Sequence, residues 1–247
     1  MQKNKRLLTN IFFCGMVLLN THIILGRTII VDVDGNGDYL TITEGMGAAV
    51  SGDTVYVMEG TYYEHGIRMK ENVVLQGAGA DKCAIDGGNE SLGWPDNTVI
   101  LFDSIKSGKI DGFTISYKLG AGIALIQSTP IISNNRIINS SDGIYYHGSF
   151  PTECSPLING NTVTGNRLGI YYLLEDMDHQ TVDTLDASHN WWGTTVEEEI
   201  KAGIQALEGP SICYVSYSPW LTEPIDSLQQ SEAGLHWNNI YDHCCPK

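Results

Sequence analysis

Ile110-Asp-Gly-Phe-Thr-Ile115 is followed by Ile132-Ser-Asn-Asn-Arg-Ile137, Ile158-Asn-Gly-Asn-Thr-Val163 and Ala187-Ser-His-Asn-Trp-Trp192, at offsets of 22, 26 and 29 residues. A second motif keeps step with the first: Gly122-Ile123, Gly143-Ile144 and Gly169-Ile170. Periods of this size mean a solenoid, in which each turn of chain buries its apolar face only by leaning on its neighbours. The units are short, rich in Ile, Val, Thr, Asn and Gly, and lack an apolar 3.6-residue period, so helical repeats are excluded. Leucine-rich repeats would need an L-x-x-L-x-L spacing that is missing. Alternation such as Ile123, Leu125 suits strands of three to five residues separated by Asn or Gly turns. The sequence therefore predicts an all-β fold, a single-stranded parallel β-helix with short capping helices.

Asn135, Asn161 and Asn190 fall in one column of the repeat. Asparagine tolerates left-handed backbone and can bond the neighbouring coil, so a structural stack at a turn is expected. Thr41 to Val50 has small and apolar residues at helical spacing and follows the β-rich stretch Thr28 to Val33. It reads as a short helix closing the first coil. Thr194 and Glu197 form a T-x-x-E capping box for a second helix over Val196 to Leu207, stopped by Gly209-Pro210. Ile212 to Tyr217 reads as a closing strand. Trp191, Trp192 and Gly193 belong to a packed C-terminal end, with Pro219-Trp220-Leu221 behind it, and His189 reads as structural.

The first 26 residues differ from the rest. A basic start (Lys3, Lys5, Arg6) and the mostly apolar run Ile11 to Leu25 have the layout of a secretory signal peptide. Residues 27–222 are then the β-helix domain and 223–247 a tail. Beyond residue 26 the chain carries 11 Lys and Arg against 29 Asp and Glu, a formal charge of −18. Such a field repels nucleic acid and anionic lipid. The expectation is a secreted monomer, extracellular, at the cell surface or in a periplasm, with no membrane insertion once the signal is removed. Cys83, Cys154, Cys213, Cys244 and Cys245 are odd in number and irregularly spaced, which excludes a disulfide-framework fold. A single clip, Cys154 with Cys213, is one arrangement they allow.

Several further stretches resemble the pectin-lyase-like superfamily of right-handed parallel β-helix proteins. Val31-Asp-Val-Asp-Gly-Asn-Gly-Asp-Tyr-Leu-Thr-Ile42, the Gly-Thr-Tyr turn of Gly52 to Glu64, and Val73-Val-Leu-Gln-Gly-Ala-Gly-Ala-Asp81 are similar to the first coils of pectin methylesterases. Asn190-Trp-Trp-Gly193, followed by a helix and Pro219-Trp-Leu221, is similar to the end of bacterial surface β-helix proteins. The resemblance covers roughly residues 28 to 221 and implies a right-handed coil. It implies no activity, because the aspartate strands of the methylesterases, the N-T-D and G-H-G motifs of polygalacturonases and the R-x-P-x-x-R of pectate lyases do not occur.

Three constellations remain. Asp32-x-Asp34-x-Asn36-Gly37 fits the first half of a calcium loop, yet position 12 is Thr43, so the bidentate carboxylate is missing and an ordinary turn is expected. Strand alternation places Ile144, Tyr146, Ile170 and Tyr172 on one face and Tyr145, His147, Tyr171 and Leu173 on the other. Tyr145 and Tyr171 would then stack on the outer wall as a flat surface for sugar rings, or serve only to pack a half-buried β surface. Leu173 to Thr184, the longest interruption, carries Glu175, Asp176, Asp178, His179 and Asp183, where a cation such as calcium could bind or an acid and base could work. Arg136 and Arg167 are the cations that could neutralise a uronate.

Two classes of function follow. The first is a non-catalytic β-helix holding polysaccharide or another envelope component on Tyr145, Tyr171 and Arg167, with no cofactor required. The second is a divergent polysaccharide lyase or epimerase using Arg136, His147, Asp176 and His179, with an architectural module as the remaining possibility.

Overall fold

The computed structural model describes residues 26–148, 156–174, 182–206 and 212–225. Strand β1 (Thr28–Val31) and helix α1 (Ile42–Ala48) open it. Five coils follow, each built from three strands: β2 (Thr54–Val57), β3 (Gly60–Tyr62) and β4 (Ile67–Arg68); β5 (Val74–Gly77), β6 (Cys83–Asp86) and β7 (Thr98–Asp103); β8 (Lys109–Asp111), β9 (Thr114–Ser116) and β10 (Ala121–Ile126). The last two coils are β11 (Ile131–Ser133), β12 (Arg136–Ile138) and β13 (Asp142–Gly148), then β14 (Leu157–Asn159), β15 (Thr162–Thr164) and β16 (Leu168–Leu174). The chain ends with β17 (Val182–Asp186), α2 (Glu197–Ala202), β18 (Ile204–Ala206) and β19 (Ile212–Ser216).

Every third strand pairs in parallel with its counterpart one coil away. The first sheet runs β1-β2-β5-β8-β11-β14, the second β15-β12-β9-β6-β3 and the third β18-β16-β13-β10-β7-β4, while β17 pairs with β19 apart from them. The repeat seen in the sequence is this register: Ile110, Ile132 and Ile158 are direct partners in the first sheet, and Ile123, Ile144 and Ile170 in the third. All six are fully buried and form stacked columns of one residue type, as a parallel sheet covered on its inner side requires. The inner column beside them places Tyr146 on Tyr172, ring centroids 4.7 Å apart.

The corners explain how so short a unit can turn. At the corner between first and second sheets, Gly112, Asn134, Gly160 and His189 all have left-handed backbone, with φ of 81°, 57°, 63° and 59°. The residue after each of the last three is an asparagine pointing inward. Asn135 Nδ2 donates to Asn161 Oδ1 at 3.2 Å and Asn161 Nδ2 to Asn190 Oδ1 at 3.0 Å, while the amide nitrogens of Phe113, Asn135 and Asn161 donate to the same column of carbonyl oxygens. The same device recurs at the next corner: left-handed Asn139 and Gly165 precede Ser140 and Asn166, and Ser140 N donates to Asn166 Oδ1 at 2.9 Å. Left-handed Ser104 and Gln127 mark the third corner, with the Ser128 hydroxyl accepting from Ile105 N.

Helix α1 closes the N-terminal end as the sequence predicts, with Thr41 as its N-cap and Ile42 and Met46 buried. Two charged residues of the next coil hold it. Glu64 accepts from Ile42 N and Thr43 N at 2.7 and 2.9 Å, and Lys70 Nζ donates to the carbonyls of Gly47 and Ala49 at 2.6 and 2.9 Å. Each charge sits at the helix end whose exposed backbone groups it complements. An alanine Cβ at Gly47 would meet nothing within 4 Å. Gly47→Ala is therefore expected to raise stability by about 0.5–1 kcal/mol through lost unfolded-state freedom, read as a higher melting temperature.

Asp53 anchors the turn after α1. Its carboxylate accepts from Val50 N at 3.0 Å, Arg27 N at 2.9 Å and Arg27 Nε at 3.2 Å. The bond from Val50, then that from Arg27, holds its pKa below the usual carboxylate range. A depressed carboxylate adds stability above the ordinary carboxylate pKa and loses it as pH falls through the folded value. The stability advantage of the wild type over Asp53→Asn should accordingly be complete at neutral pH and shrink in acid, measured by urea midpoints across that range.

The C-terminal end differs from the sequence expectation. Helix α2 covers only Glu197–Ala202; its N-cap is Val196 with no side-chain bond, and Thr194 Oγ1 accepts from Val196 N, not from the helix. The chain leaves the helix at Gly203 because Ile204–Ala206 completes the third sheet beside β16, which satisfies backbone groups that more helix would leave open. The interruption Leu173–Thr184 is strand at both ends. Gly209, Pro210, Cys154, Cys244, Cys245 and most of the 223–247 tail lie outside the described residues. Cys83 is buried and free, its thiol pushed up to about 12 by burial.

Candidate carbohydrate-binding face

The third sheet has the longest strands, so its outer face is the broadest flat surface of the coil. Strand alternation places Arg68, Leu101, Ala124, Tyr145, Tyr171 and Gln205 in one outward column through direct register. Tyr145 and Tyr171 stand one coil apart with ring centroids at 5.6 Å and planes tilted by 38°. The inward and outward halves of the two Gly-Ile-Tyr-Tyr strands thus separate as alternation requires: Tyr146 and Tyr172 into the core, Tyr145 and Tyr171 onto the wall.

A third ring joins them that sequence reasoning did not supply. Trp94, half-exposed, lies edge-on to Tyr145 at 5.5 Å and 61°. Trp94 precedes β7, whereas Tyr145 belongs to a strand two coils on. To reach it, the 87–97 loop must cross the outer side of β7 and β10, and Leu101 and Ala124 there are buried although they point outward. Only knowledge of the register, which brings residues 94 and 145 together, could have revealed the contact.

The adjoining outward column is Asp103, Ile126, His147 and Leu173. Asp103 and His147 flank Ile126, so their backbones stand two strand spacings apart, about 10 Å. Arg136 faces outward from the second sheet, not the third, at the start of β12, whereas His147 lies near the end of β13. Asp176 and His179, with Glu175 and Asp178, lie outside the described residues, and Asp183 is placed only as a member of β17.

Arg167, expected as a neutraliser for an acidic sugar, is already engaged. Its Nη2 bonds Asp142 Oδ1 and its Nε donates to Ser141 Oγ at 3.2 Å. Burial pushes the Asp142 carboxyl above the usual range, and the guanidinium opposes that shift. Arg68 approaches Asp96 at 4.0 Å, both side chains exposed.

The calcium-like string near the N-terminus folds as a turn. Asp32 Oδ1 accepts from Asp34 N at 2.9 Å and its Oδ2 from Asn36 Nδ2 at 3.2 Å. Among the described residues no cluster of three or more His, Cys, Asp or Glu side chains could hold a metal. A concavity of about 270 Å³ lies at the C-terminal end between Asn166, Gly169, Trp192 and α2. Trp192 is buried there, as its role in the packed end requires.

Stacked parallel strands, three per coil, define the class: a parallel β-helix with an aromatic strip on one flank. Residues 27–184 match the family described as the right handed beta helix region, and the chain belongs to that family. Among sequenced relatives, a probable pectinesterase of Arabidopsis thaliana is 26% identical over 140 residues, covering 54% of this chain. The match spans 40% of that relative's length. A pectin methylesterase crystallised with a hexasaccharide superposes with a TM-score of 0.47 at 12% identity, over 68% of this chain and 66% of its own. The pectin methylesterase from carrot gives 0.41 at 10% identity, over 90% and 98%. Among the described residues no helix is long and apolar enough to cross a membrane.

Proposed function

We propose that this chain is a secreted or surface-exposed, non-catalytic β-helix that holds polysaccharide along the outer face of its third sheet. The observation that carries this is the strip Trp94, Tyr145 and Tyr171, whose rings follow one another at 5.5 and 5.6 Å. The Tyr145 to Tyr171 step follows the stacking of parallel strands, while Trp94 is brought edge-on to Tyr145 by the loop before β7. A sugar polymer laid along the coil axis would meet these rings in turn. The Arabidopsis relative's name, a pectinesterase, supports polysaccharide as the partner class.

Binding rather than turnover is favoured by what stands beside the strip. In its own column the strip neighbours Leu101, Ala124 and the Gln205 amide, with Arg68 at the far end, and Asp103 and His147 sit on strands two apart in the next column. An esterase, lyase or epimerase needs an acid, a base or a nucleophile converging on one reacting atom.

The test is retention on immobilised plant and bacterial polysaccharides, run with assays for methanol release and for unsaturated products. Tyr145→Ala with Tyr171→Ala is expected to weaken retention about 10-fold or more, since each stacking contact adds roughly 0.5–1.5 kcal/mol beyond area burial. Retention unchanged by the double substitution would defeat the assignment of the strip. Methanol or unsaturated product formed by the wild type would defeat the non-catalytic reading.

A further inference from the structure

Each cation bordering the aromatic strip faces a carboxylate of the same chain, and we infer from this that the strip's ligand is an uncharged glycan, to the exclusion of polyuronates. The inference rests on the strip being a sugar-binding face and adds the chemical class of the sugar.

Arg68 and Arg167 flank the strip from either side. Arg68 shares its outward column and lies 4.0 Å from Asp96, two residues beyond Trp94. Arg167 immediately precedes β16, four residues before Tyr171, and is bonded to both Asp142 and Ser141. A polyuronate carries one carboxylate per sugar and needs an unspent positive charge at matching intervals along its path. Here each guanidinium faces a carboxylate of its own chain, and Asp103 adds a further negative group one column away. The background reinforces the local pattern: the chain carries 29 acidic against 14 basic residues. Among the described residues the strip offers its rings, His147 packed against Tyr145 and the Gln205 amide, and rings and amides recognise a sugar through its C–H faces and hydroxyls.

The experiment compares affinity electrophoresis of the full chain in gels containing a soluble neutral β-glucan, a neutral glucomannan, or polygalacturonate, at low and high salt. Retardation by at least one neutral polymer, insensitive to salt and lost in Tyr145→Ala with Tyr171→Ala, is expected, with free migration through polygalacturonate. A second variant, Asp96→Asn with Asp142→Asn, releases both arginines. It is expected to acquire salt-sensitive retardation by polygalacturonate while keeping that by the neutral polymer. Tyrosine-dependent retardation of the wild type by polygalacturonate would overturn the uncharged class and leave the sugar-binding face standing. Free migration in every gel would overturn the binding face itself.

Discussion

Replacing Asn161 with alanine is expected to remove about 3–5 kcal/mol of stability, because several buried polar groups each lose a partner worth roughly 1–3 kcal/mol when left unpaired. Asn161 is fully buried between two other asparagines. Its Nδ2 donates to Ile132 O at 2.8 Å, Asn159 O at 3.0 Å and Asn190 Oδ1 at 3.0 Å, and its Oδ1 accepts from both Asn135 N and Asn135 Nδ2. One side chain thus serves three consecutive coils. Asn161→Asp separates the donor from the acceptor role. It keeps an acceptor for Asn135 but turns an oxygen toward three acceptors, so its carboxyl must bind a proton to fit. That deficit should deepen as pH rises above the ordinary carboxylate range, whereas the alanine deficit should be nearly flat with pH. Chemical denaturation of the three proteins at pH 4 and pH 8 separates the two cases. An alanine variant within about 1 kcal/mol of wild type would mean the column is dispensable.

Gly143→Ala is the second large effect. A Cβ at this position would lie 2.7 Å from Gly169 O and 2.8 Å from Asn166 Nδ2, both in the following coil. Neither can retreat without loss: the carbonyl is backbone, and Asn166 is committed to Ser140 N at 2.9 Å and Ile137 O at 3.0 Å. The added methyl must therefore wedge two coils apart at a corner, at a cost of about 1–3 kcal/mol, the usual range for overpacking. The contrast with Gly47→Ala is the control, since the same substitution there meets open space and should stabilise. Opposite signs at the two glycines, read by the same denaturation assay, are the expected outcome; equal signs would contradict the packing drawn for the corner.

The architecture was legible because the repeat and the corner are one device. Wherever Asn follows a residue able to take left-handed backbone, the sequence exposes both the period and the turn, and residues 110 to 192 show it plainly. The first coils are less regular: one coil advances 20 residues from Thr54 to Val74 and the next 35 from Val74 to Lys109, the difference lying in the loop that carries Trp94. The second corner was missed because its inward column mixes Ser140 and Asn166, residues that share a geometry but not a letter. Helix α2 was read too long because a helical pattern says nothing of an open sheet edge waiting beside it. Of the candidate face, Tyr145 and Tyr171 followed from strand alternation alone. Trp94 and the pairing of Arg167 with Asp142 did not, since both depend on which coils become neighbours.

A stack of parallel strands has no natural end: the last coil presents the same unpaired backbone and the same apolar cross-section to the outside as it presents to its neighbours. Helix α1 changes what that end can do. Held across the opening by Glu64 and Lys70, it plugs one terminus of the solenoid and makes the two ends of the molecule unlike. Without the plug, the head of one molecule could template on the tail of another by a contact that never closes on itself, and such contacts grow filaments. A helix of seven residues thereby covers the apolar cross-section on which such a contact would have to form.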